Sequence, residues 1–122
     1  MIELLDNFPL NVVALSCEGQ VTKEDYDEVL VPAVLNALKH HDKIRLLYKI
    51  SANFTGYEPG AIWEDLKIGL EHFTRWERVA VVTDVDWIAQ TMRVFRFLMP
   101  CPTKLFPVSE FTQAGSWINA VN

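Results

Sequence analysis

Apolar residues fall along this chain in short runs that alternate between strand-like and helix-like spacing. The opening, Met1 to Asp6, and the segment Asn11 to Gly19, with its apolar run Val12-Val13-Ala14-Leu15, are separated by Phe8-Pro9-Leu10, which predicts two strands joined by a short turn. At Thr22 the period changes. Tyr26, Val29, Leu30, Ala33, Val34, Ala37 and Leu38 recur at three and four residue intervals, and Thr22 followed three residues later by Asp25 has the form of a capping box. A helix of roughly five turns follows from that count. Pro32 falls inside it, where it withholds one backbone donor and crowds the carbonyl of Glu28, so a kink or break is expected there.

The next segment, Lys43 to Ala52, is rich in Ile, Leu and Tyr and reads as a third strand. A turn-forming cluster of Asn53, Thr55, Gly56, Pro59 and Gly60 leads into a second helix carrying Ile62, Trp63, Leu66, Leu70, Phe73 and Trp76. Glu71 and Arg75 stand four apart on its outer surface and are positioned to pair. The run Val79-Ala80-Val81-Val82 suits a central parallel strand covered on both faces. Asp84 or Asp86 then caps a third helix from Trp87 to about Leu98, which Pro100 and Pro102 stop. Lys104 to Val108 forms a fifth strand, and Ser109 caps a last helix with Phe111, Ala114, Trp117, Ile118 and Val121. The order β-β-α-β-α-β-α-β-α implies an α/β fold with a mostly parallel five-stranded sheet and right-handed crossovers.

With 122 residues the chain fits one domain with one core, and 50% apolar residues give it globular composition. The net charge of −5 argues against nucleic acid as a main partner. No apolar run approaches the roughly 20 residues that span a bilayer, and the start MIELLDNF has neither the basic residues nor the apolar stretch of a signal peptide, so a cytoplasmic protein is expected. Charge is uneven. Residues 1 to 42 hold eight acids and two bases, concentrated at Glu24, Asp25, Asp27 and Glu28 in the first turns of the first helix, where they oppose the helix dipole.

The sequence lacks GxGxxG, GxxxxGKS and GxSxG, which removes the common phosphate-cradle and nucleophile-elbow readings. His40, His41 and His72 stand in neither HExxH nor HxH, so no metal or other cofactor is expected. Cys17 reads as a small core residue, and Cys101, between two prolines, has no base nearer than Lys104 to lower its pKa. The loop after the third strand offers Ser51, Asn53, Thr55 and Gly56 at the carboxyl end of the sheet, where open α/β folds gather ligands and where an anion could be received. Turn chemistry accounts for the same residues. The segment Trp87 to Met99 is apolar around nearly the whole helix, with Gln90, Arg93 and Arg96 in one narrow polar stripe. A helix lying on a sheet needs one apolar face, so the surplus covers a subunit interface, an apolar ligand, a membrane surface or neighbouring helices, and the mix of aromatics, Met and Arg favours the interface, at Met92, Arg93, Phe95, Arg96, Phe97 and Met99.

The stretch Asp65 to Trp87, with Asp65, Gly69, His72, Asp84 and Trp87 in their spacing, resembles the core signature of the SpoIIAA-like family, small bacterial proteins related to STAS domains. The likeness continues more weakly through the Pro32 helix, Ile44 to Ile50, Lys104 to Pro107 and Ala114 to Ile118. It implies the β/α fold shared with anti-sigma factor antagonists and lipid-binding CRAL-TRIO domains, neither of which is an enzyme. STAS-type antagonists are switched by phosphorylation of a Ser in an Asp-Ser-Ser-Gly-like loop. The matching region here is Ser51-Ala52-Asn53-Phe54-Thr55-Gly56, of which only Thr55-Gly56 resembles the motif, leaving Thr55 or Ser51 as the candidate position.

Three expectations follow. The first is a non-catalytic regulatory or interaction module, homodimeric and meeting a protein partner. The second is a carrier or sensor of a small apolar or anionic ligand lined by Trp63, Trp87 and Phe95, with Asp65, His72 and Asp84 nearby. The third is an enzyme acting through Asp65, His72 and Asp84.

Overall fold

A computed structural model describes residues 1–61, 67, 71–96 and 101–120. Seven strands occur among them: β1 (Ile2–Leu4), β2 (Val12–Cys17), β3 (Gln20–Val21), β4 (Ile44–Ile50), β5 (Gly56–Tyr57), β6 (Trp76–Thr83) and β7 (Thr103–Phe106). Five of them make the main sheet in the order β1-β2-β4-β6-β7, with β1 antiparallel to β2 and the other pairs parallel. These are the five expected strands. The remaining two, β3 and β5, form a separate parallel ladder that the short sequences Gln-Val and Gly-Tyr did not announce.

The long first helix, α1, covers residues 23–40 and opens with the expected capping box. The Thr22 hydroxyl accepts from the Asp25 amide, and the Asp25 carboxylate accepts from the Thr22 amide at 2.8 Å. Pro32 produces a π-helical turn over Tyr26–Leu30, in which Val31 donates to the Tyr26 carbonyl. The wider turn accommodates the missing proline donor without breaking the helix. Two further helices are α2 (Asp86–Phe95) and α3 (Phe111–Asn119), and helical backbone also occurs at 59–61, Lys67 and Glu71.

Strand alternation sorts the core into two layers. Val13, Leu15, Cys17, Ile44, Tyr48, Ile50, Val79 and Val81 face α1, Ala61 and Ile88 of α2. Val12, Ala14, Leu47, Ala80 and Val82 face Ala114 and Ile118 of α3. Inside the first layer the Tyr26 and Tyr48 hydroxyls meet at 2.8 Å, so each of these buried groups is satisfied.

At the amino end of the parallel strands, arginines close the helices. Arg45, 7% exposed, donates from Nη1 to the carbonyls of Ile118 (2.7 Å) and Ala120 (2.6 Å), and its Nε pairs with Glu77 at 2.5 Å. Arg78 reaches the Trp117 and Ala120 carbonyls. Arg75 does the same for α1, donating to the carbonyls of Leu38, His41 and Asp42. Both helix ends thus receive the donors and positive charge that their last carbonyls lack.

Several local expectations are corrected. Trp76 continues the helical spacing of Leu70 and Phe73, yet it begins β6 opposite Ile44. Arg75 therefore sits in a 3-10 turn, Phe73–Arg75, where it serves α1 in place of Glu71. Neither Asp84 nor Asp86 caps α2. Val85 holds the cap position, and the Thr83 hydroxyl accepts from its amide at 3.0 Å. Ser109 lies within a 3-10 turn, Val108–Glu110, that precedes α3, so it does not cap that helix.

Candidate functional site

The carboxyl end of the sheet gathers the turn after β4, the ladder β3/β5 and the start of α2. Three backbone bonds fasten the turn to the β2–β3 connection: Ser51 donates to Cys17, Thr55 to Gly19 and Glu58 to Val21, all at 2.8 to 3.0 Å. The Phe54 amide donates to the Ser51 carbonyl, and the Asn53 amide to the Ser51 hydroxyl. Of the residues offered for an anion, Ser51, Asn53 and Thr55 have their backbone amides bonded within the chain, which fixes the turn as a platform, while the Thr55 side chain lies exposed. Gly19 (φ 58°) supplies the left-handed turn that brings β3 beside it. Ser51 is half-buried, whereas Thr55 is exposed.

A series of rings runs outward from this platform. Buried Tyr26 stands 6.5 Å from Tyr57, Tyr57 packs edge-on to Phe54 at 4.9 Å, and Phe54 lies 6.0 Å from Trp87. Phe54 is buried, but Trp87 is 53% exposed. Ile88 and Met92 of α2 turn toward the core, while Trp87, Gln90, Thr91 and Val94 form its outward stripe, with Val94 67% exposed. The stripe is bounded by charge on one flank. Arg93 and Arg96, with Met92, line a shallow groove between α2 and β7 whose other wall is Val81, Thr103, Lys104 and Leu105.

The remaining candidates are placed as follows. Asp84 is exposed and accepts a bond from the Val108 amide at 3.0 Å, tying the β6–α2 turn to the start of the last helical segment. His72 precedes β6 and Asp84 follows it. The eight-residue strand between them spans about 26 Å at the usual rise, so the structure does not bring His72 and Asp84 into one site. That separation also divides the proposed set of Asp65, His72 and Asp84. Trp63, Asp65, Phe97 and Met99 lie outside the described residues, as does the side chain of Phe95. Cys17 is buried in β2 and Cys101 is half-buried, and neither is in a disulfide. Burial raises the Cys101 pKa, against a smaller opposing effect of its bond with Thr103, which leaves the thiol protonated. Among the described residues no group of His, Cys, Asp and Glu is arranged to hold a metal ion, and no helix is long and apolar enough to cross a membrane.

Phe54 and Tyr57 escaped the sequence reading, although two aromatics three apart in a turn rich in Gly and Pro are the available signal. Val94 was hidden because α2 is apolar on every side.

A mostly parallel sheet with one antiparallel edge, backed by three described helices and bearing an aromatic surface at its carboxyl end, defines an α/β domain of the SpoIIAA type. The chain belongs to the SpoIIAA-like family, whose model matches residues 12–119. It is similar to a crystal structure of an uncharacterized protein from the DUF3478 family of Shewanella loihica PV-4, which has a SpoIIAA-like fold. The two share 26% identity with a TM-score of 0.78, over 96% of this chain and 93% of that one. No curated protein matches the chain.

Proposed function

We propose that the protein is a non-catalytic regulatory or interaction module of the cytoplasm, that its working surface is the outward stripe of α2, and that a second copy of the chain is its first partner. The observation that carries this reading is Trp87, half exposed yet backed by the Phe54 ring. A large aromatic held rigid at the surface loses little freedom on binding and is the residue type that anchors interfaces. Val94, one helical repeat further along the same stripe, extends the apolar contact.

Native mass spectrometry of the protein purified from its own host tests this directly, because one spectrum reports subunit number and bound mass together. A dimer without added mass, converted to monomer by Val94→Glu, is the expected result. A monomer at micromolar concentration overturns the dimer, and a reproducible added mass moves the reading to a carrier or sensor of a small ligand.

A further inference from the structure

The exposed surface of α2 is built on a seven-residue repeat. Seven residues make nearly two turns, so Asp86 and Arg93 lie along one flank, Trp87 and Val94 along the other, and Gln90 falls midway between the two lines. All five are exposed. Thr91 borders the apolar line, its hydroxyl already satisfied by the Trp87 carbonyl at 2.7 Å. The charged line is different. Neither Asp86 nor Arg93 has a side-chain hydrogen bond or ion pair with a described residue. They are charges of opposite sign set in line, about 10 Å apart along the helix axis.

That arrangement decides how a second copy of α2 lies on the first. Laid parallel, it would face Asp86 with the partner's Asp86 and Arg93 with the partner's Arg93, and like charges across a helix pair oppose association. Laid antiparallel about a two-fold axis through Gln90, each flank meets its own counterpart reversed. Asp86 then faces the partner's Arg93, and Arg93 the partner's Asp86, while each Trp87 meets the partner's Val94. All of these pairs sit within about 1.5 Å of register, one residue rise. At the axis Gln90 meets the partner's Gln90, and two carboxamides can donate to and accept from one another.

We infer that the self-association proposed above, on which this reading rests, is an antiparallel pairing of α2 with the partner's α2 about a two-fold axis at Gln90, held in register by two Asp86–Arg93 ion pairs. Each copy supplies both halves of the contact, so the pairing closes as a dimer and does not propagate.

Disulfide trapping tests the arrangement. Packed helix axes about 8 to 10 Å apart bring facing Cα atoms at the two-fold axis within the roughly 4.4 to 6.8 Å that a disulfide needs. Under mild oxidation Gln90→Cys should give a covalent dimer above the level of the wild type, which controls for Cys17 and Cys101. Val94→Cys should not exceed that level, since its two copies stand about 12 Å apart along the helices. In sedimentation velocity Asp86→Arg and Arg93→Asp should each raise the dissociation constant about fivefold, although Asp86→Arg brings the net charge of −5 closer to zero. An equimolar mixture of the two variants should associate within about twofold of the wild type, because each then meets its opposite. Unchanged far-UV circular dichroism verifies that the variants fold. The arrangement is overturned, with the self-association left standing, by a wild-type dimer that is not trapped at Gln90, is trapped equally at Val94, or ignores the charge changes. A wild type that is monomeric throughout overturns both.

Discussion

The two ends of the parallel sheet use their polar and aromatic groups in opposite ways. At the amino end, Arg45, Arg75 and Arg78 direct their guanidinium donors inward, onto the terminal carbonyls of α1 and α3. At the carboxyl end the backbone of the turn is fastened by its own bonds, and the aromatic series finishes on a tryptophan turned to solvent. One end spends its chemistry on holding the molecule together. The other is stiffened from beneath and left with an apolar surface, which is the division of labour expected of a domain that works by contact.

Substitutions should therefore separate by end. Arg45→Met is expected to have the largest effect, a loss of about 3 kcal/mol in urea unfolding, because it strips two helix carbonyls and Glu77 of a buried partner. Arg75→Ala should cost about 1 to 2 kcal/mol, since its carbonyl partners lie nearer to solvent. Tyr26→Phe should cost about 1 kcal/mol by removing the bond to Tyr48 within the core. Each is read as a shift of the unfolding midpoint at constant slope.

A smaller effect depends on pH. Partial burial raises the Asp25 pKa, but bonds from the Thr22 backbone and side chain and the nearby Met1 amino group outweigh it, and the net direction is downward. A carboxylate depressed in the folded state stabilises the fold above its unfolded value near 4, and that contribution is lost as pH falls through the lower folded value. Thermal melts of the wild type should lose stability below about pH 4 more steeply than melts of Asp25→Asn. Trp87→Ala should change the unfolding free energy by no more than about 1 kcal/mol in the same urea assay, because the ring is more than half exposed.

Local chemistry was legible in the sequence for the first helix and the central strand, but not for the starts of α2 and α3, where the caps expected at Asp84 or Asp86 and at Ser109 do not form. The Thr22–Asp25 box, the disturbance upstream of Pro32 and the buried Val79–Val82 run all appear where their residues place them. Long-range polar contacts were not legible. Arg45 lies 73 and 75 positions from the carbonyls it serves, and nothing in a charged residue within a strand announces which helix end it will meet. Trp76 shows the limit of periodicity, since its spacing from Phe73 fits a helix while its pairing with Ile44 places it in the sheet. The candidate surface was half visible. Trp87 stood out as a residue, but the ring beneath it and the exposed Val94 became apparent only once α2 was seen to turn Ile88 and Met92 inward.

Sedimentation velocity of the wild type and Trp87→Ala across a micromolar dilution series, with thermal melts of the same samples, most directly tests whether the carboxyl end is the working surface. The expected result is a wild-type dimer whose dissociation constant rises at least about tenfold in Trp87→Ala, while at dilutions where both are monomers the two melting temperatures differ by no more than a few degrees. A wild type that remains monomeric throughout, or a variant that dimerises equally well, would contradict it.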